Sequence, residues 1–332
     1  MIETTNLADD LKICRITNGM WQVSGGHGYI DPKKAIQEMK SYFDAGLTTW
    51  DMADIYGPAE EFFGKFRQNL LSSGNSLESL VGLTKFVPNP GVMSKNLVER
   101  AIKTSSLKMN VTAIDLVQFH WWDYDDLNYL EALRHLTTLK DEGKIKHIGL
   151  TNFDTERMQV MIDSGYTIAS NQVQYSIIDQ RPQVEMEKFC KKHNIKLLTY
   201  GTLGGGLLSE KFLDVPEPSR IDLDTYSLQK YHNMISAWGG WSLFKKLLKV
   251  LDEIAKKHHT KITNVATRFI LDKPQVAAVI IGVRLGIAEH IEQNTQTFSL
   301  KLNSDDHMLI QEITTQANSL YDTIGDCGSE YR

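Results

Sequence analysis

Residues 276–283, VAAVIIGV, carry no charged side chain and no alternation of polar with apolar residues. A strand with one wet face alternates, whereas a strand covered on both faces reads as a continuous apolar run. The stretch therefore predicts a buried strand of a parallel sheet. Upstream, IKLLTYG (195–201), IASNQVQY (168–175), HIGLTNF (147–153), AIDLVQFH (113–120), LVGLTKF (80–86) and LTTWDM (47–52) read as strands of the same kind. ICRITNGMWQV (13–23) reads as strand, turn and strand.

Helical patterns separate these runs. DPKKAIQEMKSYFDAG (31–46) has a helix entry and Gly46 just past its end. Further helices are expected over 59–71, over 94–109 with Ser94 as N-cap, and over 127–143, 154–165 and 183–194. In 241–258, Leu243, Phe244, Leu247, Leu248, Leu251 and Ile254 fall on one helical face. Helices over 263–273 and 287–294 close the cycle, and 305–320 reads as one more helix before a polar end. Eight successive strand–helix units favour a closed (β/α)8 barrel over an open doubly wound sheet. The expected fold is α/β: a TIM-type barrel with an N-terminal β-hairpin and extended loops on the C-terminal face. The stretch 202–240, with Pro216, Pro218, Gly239 and Gly240, is expected to be an excursion over that face and not a domain boundary. Residues 1–332 read as one barrel domain, with a core over about 10–300 and a C-terminal helix and tail over 303–332.

Composition narrows the partners. The 332 residues are 42% hydrophobic and 23% charged, and the net charge of −5 makes no electrostatic case for nucleic acid or an anionic membrane. The basic run KKHHTK (256–261) reads as a solvated helix end. Cys14, Cys190 and Cys327 are far apart, odd in number and without zinc spacing. The N-terminus MIETTNLADD lacks an apolar signal core, and no apolar run is long enough to span a membrane. A reducing, cytoplasmic setting is expected.

In such a barrel, chemistry collects at the C-terminal ends of the strands. There the sequence sets Asp51 and Tyr56, Lys85, His120, Thr151 and Asn152, Gln172, and Tyr200. Singly, each has a bland reading: a surface ion pair, a turn aromatic, a satisfied histidine. Their coincidence on consecutive strand ends favours a site. A lysine buried at residue 85 needs a partner, and Asp51 is the candidate. Tyr56 beside that ammonium is expected to become a better acid. Asp54, between Asp51 and Tyr56, reads as a turn residue.

At these residues the chain resembles the aldo-keto reductase family. WDMADIYGPAEEFFGK (50–65) is similar to its signature, LVGLTKF to its lysine strand, and IDLVQFHWWD (114–123) to its histidine segment. GKIKHIGLTNF (143–153) resembles its Gly-x-Ser-Asn-Phe segment with Thr151 for Ser, and ASNQVQYSIID (169–179) its Asn-Gln-x-x-Tyr segment. LLTYGTLGGGLLSEK (197–211) and VIIGVRLGIAEHIEQN (279–294) resemble its two cofactor segments. The likeness runs from about residue 10 to 300 and implies roles residue by residue. Tyr56 would be the proton donor, Lys85 would lower its pKa, Asp51 would hold Lys85, and His120 would orient the carbonyl. Thr151, Asn152 and Gln172 would hold a nicotinamide carboxamide, and Tyr200 would stack on the ring, with Met20 and Trp21 on the cofactor's path. Gly201 and the loop Leu203 to Gly206 would cover the pyrophosphate. Gly282, Arg284, His290, Gln293 and Asn294 would surround the adenosine end. Trp21, Trp121, Trp122, Tyr231, Trp238 and Trp241 would shape the substrate pocket.

The chain departs from the family pattern where YGTLGGG lacks Ser-Pro after the tyrosine, and where GVRLGIAEH is longer than Gly-x-x-Ser by about two residues. Arg284, a planar fork suited to phosphate, favours NADP(H) over NAD(H). The implied activity is hydride exchange between nicotinamide and an aldehyde, ketone or sugar carbonyl or the matching alcohol, without a metal. Two rivals remain. One is a nucleotide-binding regulatory subunit resembling potassium-channel beta subunits. The other is a Schiff-base aldolase built on Lys85, which an Asp51 partner disfavours by keeping the lysine charged. The expected partner is a small carbonyl or alcohol substrate; its identity, the reaction direction and the oligomeric state stay open.

Overall fold

The computed structural model describes residues 1–25 and 30–331. The chain opens with an antiparallel hairpin of β1 (Thr4–Ala8) and β2 (Leu11–Cys14). Eight parallel strands follow: β3 (Ile16–Gly19), β4 (Thr49–Asp51), β5 (Val81–Phe86), β6 (Ile114–His120), β7 (Ile145–Thr151), β8 (Ser170–Gln174), β9 (Lys196–Tyr200) and β10 (Val276–Gly282). They pair in chain order and close where β10 meets β3, with Gly282 opposite Gly19. The unbroken apolar runs have the predicted cause: β5 and β8 are buried along their whole length.

The hairpin seals the N-terminal end. Leu7, Leu11 and Ile13 join Val81, Leu83, Leu116, Leu198, Ala277 and Ala278 in one apolar cluster. Burying a leucine or isoleucine stabilises by about 1.5–3 kcal/mol, so this plug is a substantial part of the barrel's closure. It also corrects the reading of 13–23. The hairpin lies upstream of it, because the polar N-terminus still supplies Leu7 to the plug. The run 13–23 holds the end of β2, then β3, then a 3₁₀ turn at Trp21–Ser24.

An outer layer of helices follows the strands: α1 (Pro32–Asp44), α2 (Ala59–Ser72), α3 (Lys95–Met109), α4 (Asn128–Asp141), α5 (Thr155–Asp163) and α6 (Met186–His193). The Asp31 side chain caps α1 by accepting from the Lys34 amide at 2.9 Å, and Ser94 caps α3 through the Leu97 amide at 3.3 Å. Gly46 leaves α1 at φ 89°, a left-handed conformation that favours glycine.

The excursion between β9 and β10 is more ordered than its composition suggests. Within 202–240 it carries α7 (Tyr226–Trp238), and the expected helices follow it as α8 (Gly240–Lys257) and α9 (Ile262–Leu271). Thr225 caps α7 through the Leu228 amide at 3.2 Å. The expected helix over 287–294 is mostly replaced by a tight bridge between Arg284 and Ala288, and α10 runs later, at Ile291–Gln296. The expected helix over 305–320 divides into α11 (Ser304–Thr314) and α12 (Leu320–Ile324). Beyond α12 the polar end forms a 3₁₀ turn, Ser329–Tyr331. Among the described residues no helix is long and apolar enough to cross a membrane.

Candidate active site

The polar strand ends converge at the C-terminal mouth of the barrel. Asp51 ends β4 and Lys85 lies near the end of β5, both buried, with Lys85 Nζ 2.5 Å from Asp51 Oδ2. Lys85 also donates to the Met52 carbonyl at 3.0 Å. The other Asp51 oxygen accepts from the side-chain amides of Gln118, at 2.7 Å, and Gln172, at 2.9 Å. Gln172 also donates to Gln118 Oε1 at 2.6 Å. Gln172 is thus drawn into the network around Asp51. Gln118, absent from the sequence reading, lies two residues before His120 and so on the same inward face of β6.

The loop after β4 turns Tyr56 back over this pair. The Lys85 ammonium lies 4.9 Å from the centre of the Tyr56 ring, and Trp21 meets that ring edge-on at 5.0 Å. The expectation that Lys85 makes the phenol more acidic is not the net effect. Burial pushes the Tyr56 phenol well up, and the charge of Asp51 adds to the rise. Burial likewise lowers the Lys85 ammonium, against the pull of Asp51. An enclosed group favours its neutral form, and one ammonium already shared with a carboxylate does not reverse that.

His120 ends β6 with Nδ1 3.0 Å from the Thr151 carbonyl, a contact that needs the hydrogen on Nδ1. Trp122 packs edge-on to its ring at 4.3 Å. At the end of β7, the Thr151 hydroxyl is sealed from solvent and meets no partner among the described residues. Asn152 follows at φ 57°, a left-handed position that asparagine tolerates, and its Oδ1 accepts from the Tyr200 hydroxyl at 2.8 Å. Met20, just after β3, is buried at the Asp51 end of the site, its amide donating to the Asp51 carbonyl at 2.9 Å.

The loop after β9 starts at Gly201, φ 72°, where a Cβ would come within 2.5 Å of the Tyr231 hydroxyl. Helix α7 therefore lies directly on this loop, and Gly206 at its far side faces open space. Leu203 is partly buried against the core. After β10, the strand that pairs with β9, Gly282 and Arg284 are exposed and Asn294 is buried. His290 is exposed with its amide turned to the Tyr42 hydroxyl, and Gln293 is tied to Thr263. A hollow of about 410 Å³ lies beside them, between α1 and residues 286–289. It is lined by Lys34 and Glu38, which the sequence reading passed over.

The aromatic residues divide. Trp21 and Trp122 are partly exposed beside Tyr56 and His120. Trp121 faces the other way, fully buried against Phe119, because neighbours on a strand point to opposite faces. Trp238 and Trp241 are buried too, Trp241 meeting Phe212 edge-on and Phe244 at a tilt. These three belong to the core, which corrects their assignment to the pocket.

The largest departure is the chain's end. Arg181, buried after β8, forks onto Asp179 at 2.8 and 2.7 Å and reaches Glu330 at 2.9 Å and the Asp326 carbonyl at 3.2 Å. Asp326 accepts from the Thr155 amide and hydroxyl at 2.8 and 2.7 Å. This anchorage brings Tyr331 into the site. Its hydroxyl lies 3.0 Å from that of Tyr200 and 2.5 Å from Lys230 Nζ, and its ring meets His120 edge-on at 6.2 Å. The pairing of Asp179 with Arg181 in an apolar loop was a usable signal in the sequence. The return of Glu330 and Tyr331 across about 150 residues was not.

Comparison with known proteins agrees with this geometry. A model of the aldo/keto reductase family matches residues 15–315. The aldo-keto reductase YhdN of Bacillus subtilis is 27% identical over 342 residues, covering 98% of this chain and 96% of that protein. Flagellar radial spoke protein 5 of Chlamydomonas reinhardtii is 34% identical over 177 residues, 48% of this chain; the match spans only 33% of that protein. Among solved structures, an aldo/keto reductase from Klebsiella pneumoniae, in complex with NADP and acetate, aligns with a TM-score of 0.71 at 19% identity. It covers 95% of this chain and 96% of its own, and at that identity it bears on the fold alone.

Proposed function

This chain belongs to the aldo/keto reductase family, and we propose that it is an NADP(H)-dependent reductase of aldehydes, ketones or sugar carbonyls, or the matching alcohol dehydrogenase, with Tyr56 as the proton donor and acceptor. It is an oxidoreductase. The observation that carries the finer reading is the stacking of Tyr56 over a lysine whose ammonium is bound to a buried aspartate, at a barrel mouth shared with His120.

The residues fit a nicotinamide cofactor. Thr151 holds a sealed hydroxyl with no partner among the described residues, where a carboxamide could be bound, and Asn152 and Gln172 flank it. A bound reduced nicotinamide would supply hydride to the carbonyl carbon. The chain's part is the oxygen. Tyr56 gives its phenolic proton to the oxygen as charge develops there, so the carbonyl becomes an alcohol and the phenol is left as phenolate. Lys85 stabilises that phenolate at short range, and Asp51 with its two glutamine amides keeps Lys85 in place. His120, with its hydrogen fixed on Nδ1, offers Nε2 as an acceptor when neutral and as a donor when charged. It can therefore orient an alcohol, or a carbonyl once protonated. Trp21 and Trp122 wall the pocket against water.

At the adenosine end, exposed Arg284 supports NADP(H) over NAD(H). The three cysteines are free and buried, which suits a reducing cytoplasm. The test is tryptophan quenching by NADPH and by NADH, followed by an aldehyde screen of wild type against Tyr56→Phe. The expected result is tighter NADPH binding, retained in the variant, with turnover lost by about 10²-fold or more. Binding of neither cofactor overturns the reading.

A further inference from the structure

Asp54, two residues before Tyr56, does more than turn the chain. Its amide donates to the Lys85 carbonyl at 3.1 Å, and its Oδ2 accepts from the Val87 amide at 3.1 Å. The loop that carries Tyr56 is thus clipped to the strand that carries Lys85, on both sides of Phe86. A neutral asparagine could make the same two bonds, so the clip leaves the charge unexplained.

The second oxygen is the telling one. Asp54 Oδ1 is sealed from solvent and makes no well-formed hydrogen bond among the described residues; the adjacent Ile55 amide lends the carboxyl only weak support. Buried carboxylates ordinarily gather donors for both oxygens. The charged groups around Asp54 offer none. From β5, Lys85 is committed to Asp51 and the Met52 carbonyl. From the start of α2, buried Glu60 donates nothing; it accepts from the Thr84 hydroxyl at 2.6 Å. From β4, Asp51 is itself an anion. Burial pushes the Asp54 carboxyl up to about 6, with the Val87 amide opposing, the charge of Glu60 adding to the rise, and the Ile55 amide and the Lys85 charge opposing it more weakly. Its charge acts on the site in turn, raising both the Tyr56 phenol and the Lys85 ammonium. Tyr56 otherwise faces Asp51, Lys85, Tyr331 and Tyr231.

We propose that Asp54 is a positioning residue for proton transfer: its carboxylate clips the Tyr56 loop against the Lys85 strand, and its negative charge beside that loop contributes to proton exchange at Tyr56. The assignment rests on the reading of Tyr56 as the acid and base. With Asp54 ionised the phenol keeps its proton, which favours carbonyl reduction. Without that charge one of the groups that oppose phenolate formation is gone, and the phenolate needed for alcohol oxidation forms at lower pH.

The test is the pH profile of kcat/KM for benzyl alcohol oxidation with NADP⁺ and benzaldehyde reduction with NADPH, in wild type, Asp54→Asn and Asp54→Glu. Asp54→Asn keeps the clip and removes the charge. Its basic limb should move to lower pH by about one unit, the size of one nearby charge in a partly buried site. Asp54→Glu should move it back. Asp54→Ser, with a smaller acceptor, covers the case in which the asparagine variant folds poorly, and it should shift the limb in the same direction. A uniform loss of rate with an unmoved limb overturns the assignment and leaves Asp54 a structural clip. If wild type turns over neither substrate with either cofactor, the oxidoreductase reading of Tyr56 falls, and this assignment falls with it.

Discussion

Lys85 and Arg181 are both buried cations at the C-terminal rim of the barrel, yet their surroundings treat them oppositely. Burial lowers the Lys85 ammonium, and its one carboxylate does not restore it. Burial works against Arg181 as well, but Asp179 and Glu330 more than reverse it, and the guanidinium is pushed far up. Asp51 divides its charge among Lys85 and two glutamine amides. Asp179 turns both oxygens to the arginine fork while one of them also accepts from the Gln174 amide at 2.7 Å, and Glu330 adds a second carboxylate. A lysine with one shared carboxylate is poised to respond to a neighbouring phenol. An arginine gripped by two carboxylates is locked and serves as an anchor.

The comparison breaks if the two cations respond alike to removal. Lys85→Met should lower kcat by about 10²–10⁴-fold while leaving a folded protein, because Asp51 keeps two amide donors. Steady-state turnover beside a thermal melt checks both halves. Arg181→Met should show the opposite balance, costing about 3–5 kcal/mol of stability by leaving Asp179 and Glu330 buried without their cation. Denaturant unfolding reads that loss.

Two smaller effects sharpen the contrast between poised and locked groups. The Asp54 carboxyl sits near 6, above its unfolded value of about 3.9. The native state then holds the proton more tightly than the unfolded chain, so stability falls as pH rises from about 4 to about 6. Asp54→Asn should recover up to about 2 kcal/mol at pH 7.5 and nothing at pH 4, read from melts at both values. For Glu330 the sign is reversed. Burial would raise its carboxyl, but Arg181 holds it below the usual carboxylate range. Its contribution is full above the unfolded value of about 4.3 and is lost as pH falls through the lower folded value. Glu330→Gln should cost about 1–2 kcal/mol at neutral pH and remove that acid dependence; acid titration of melting temperature checks it.

Much of the site was legible because strand periodicity is local. Asp51, Lys85, His120, Thr151 and Tyr200 each close an apolar run, and a parallel barrel sends such ends to one mouth. Trp121, Trp238 and Trp241 were misread because aromatic residues near a strand end or loop look alike in sequence, whichever side they face. Trp121 sits one residue past His120 and is turned to the opposite face of the sheet. Asp54 reads as a turn residue by spacing, and only its enclosure between Lys85, Glu60 and Val87 reveals a carboxyl near 6.

By itself, the sequence determined the eight-fold alternation, the closed parallel barrel and the order of the polar strand ends, because these follow from residue patterns within ten or so positions. Tertiary structure decided the rest: the hairpin plug, the net rise of the Tyr56 phenol, and the Arg181 anchor that returns Tyr331 to the site. Proton affinity depends on which charges and how much apolar matter surround a group, and chain return depends on contacts between residues far apart in sequence. Neither is written in local spacing.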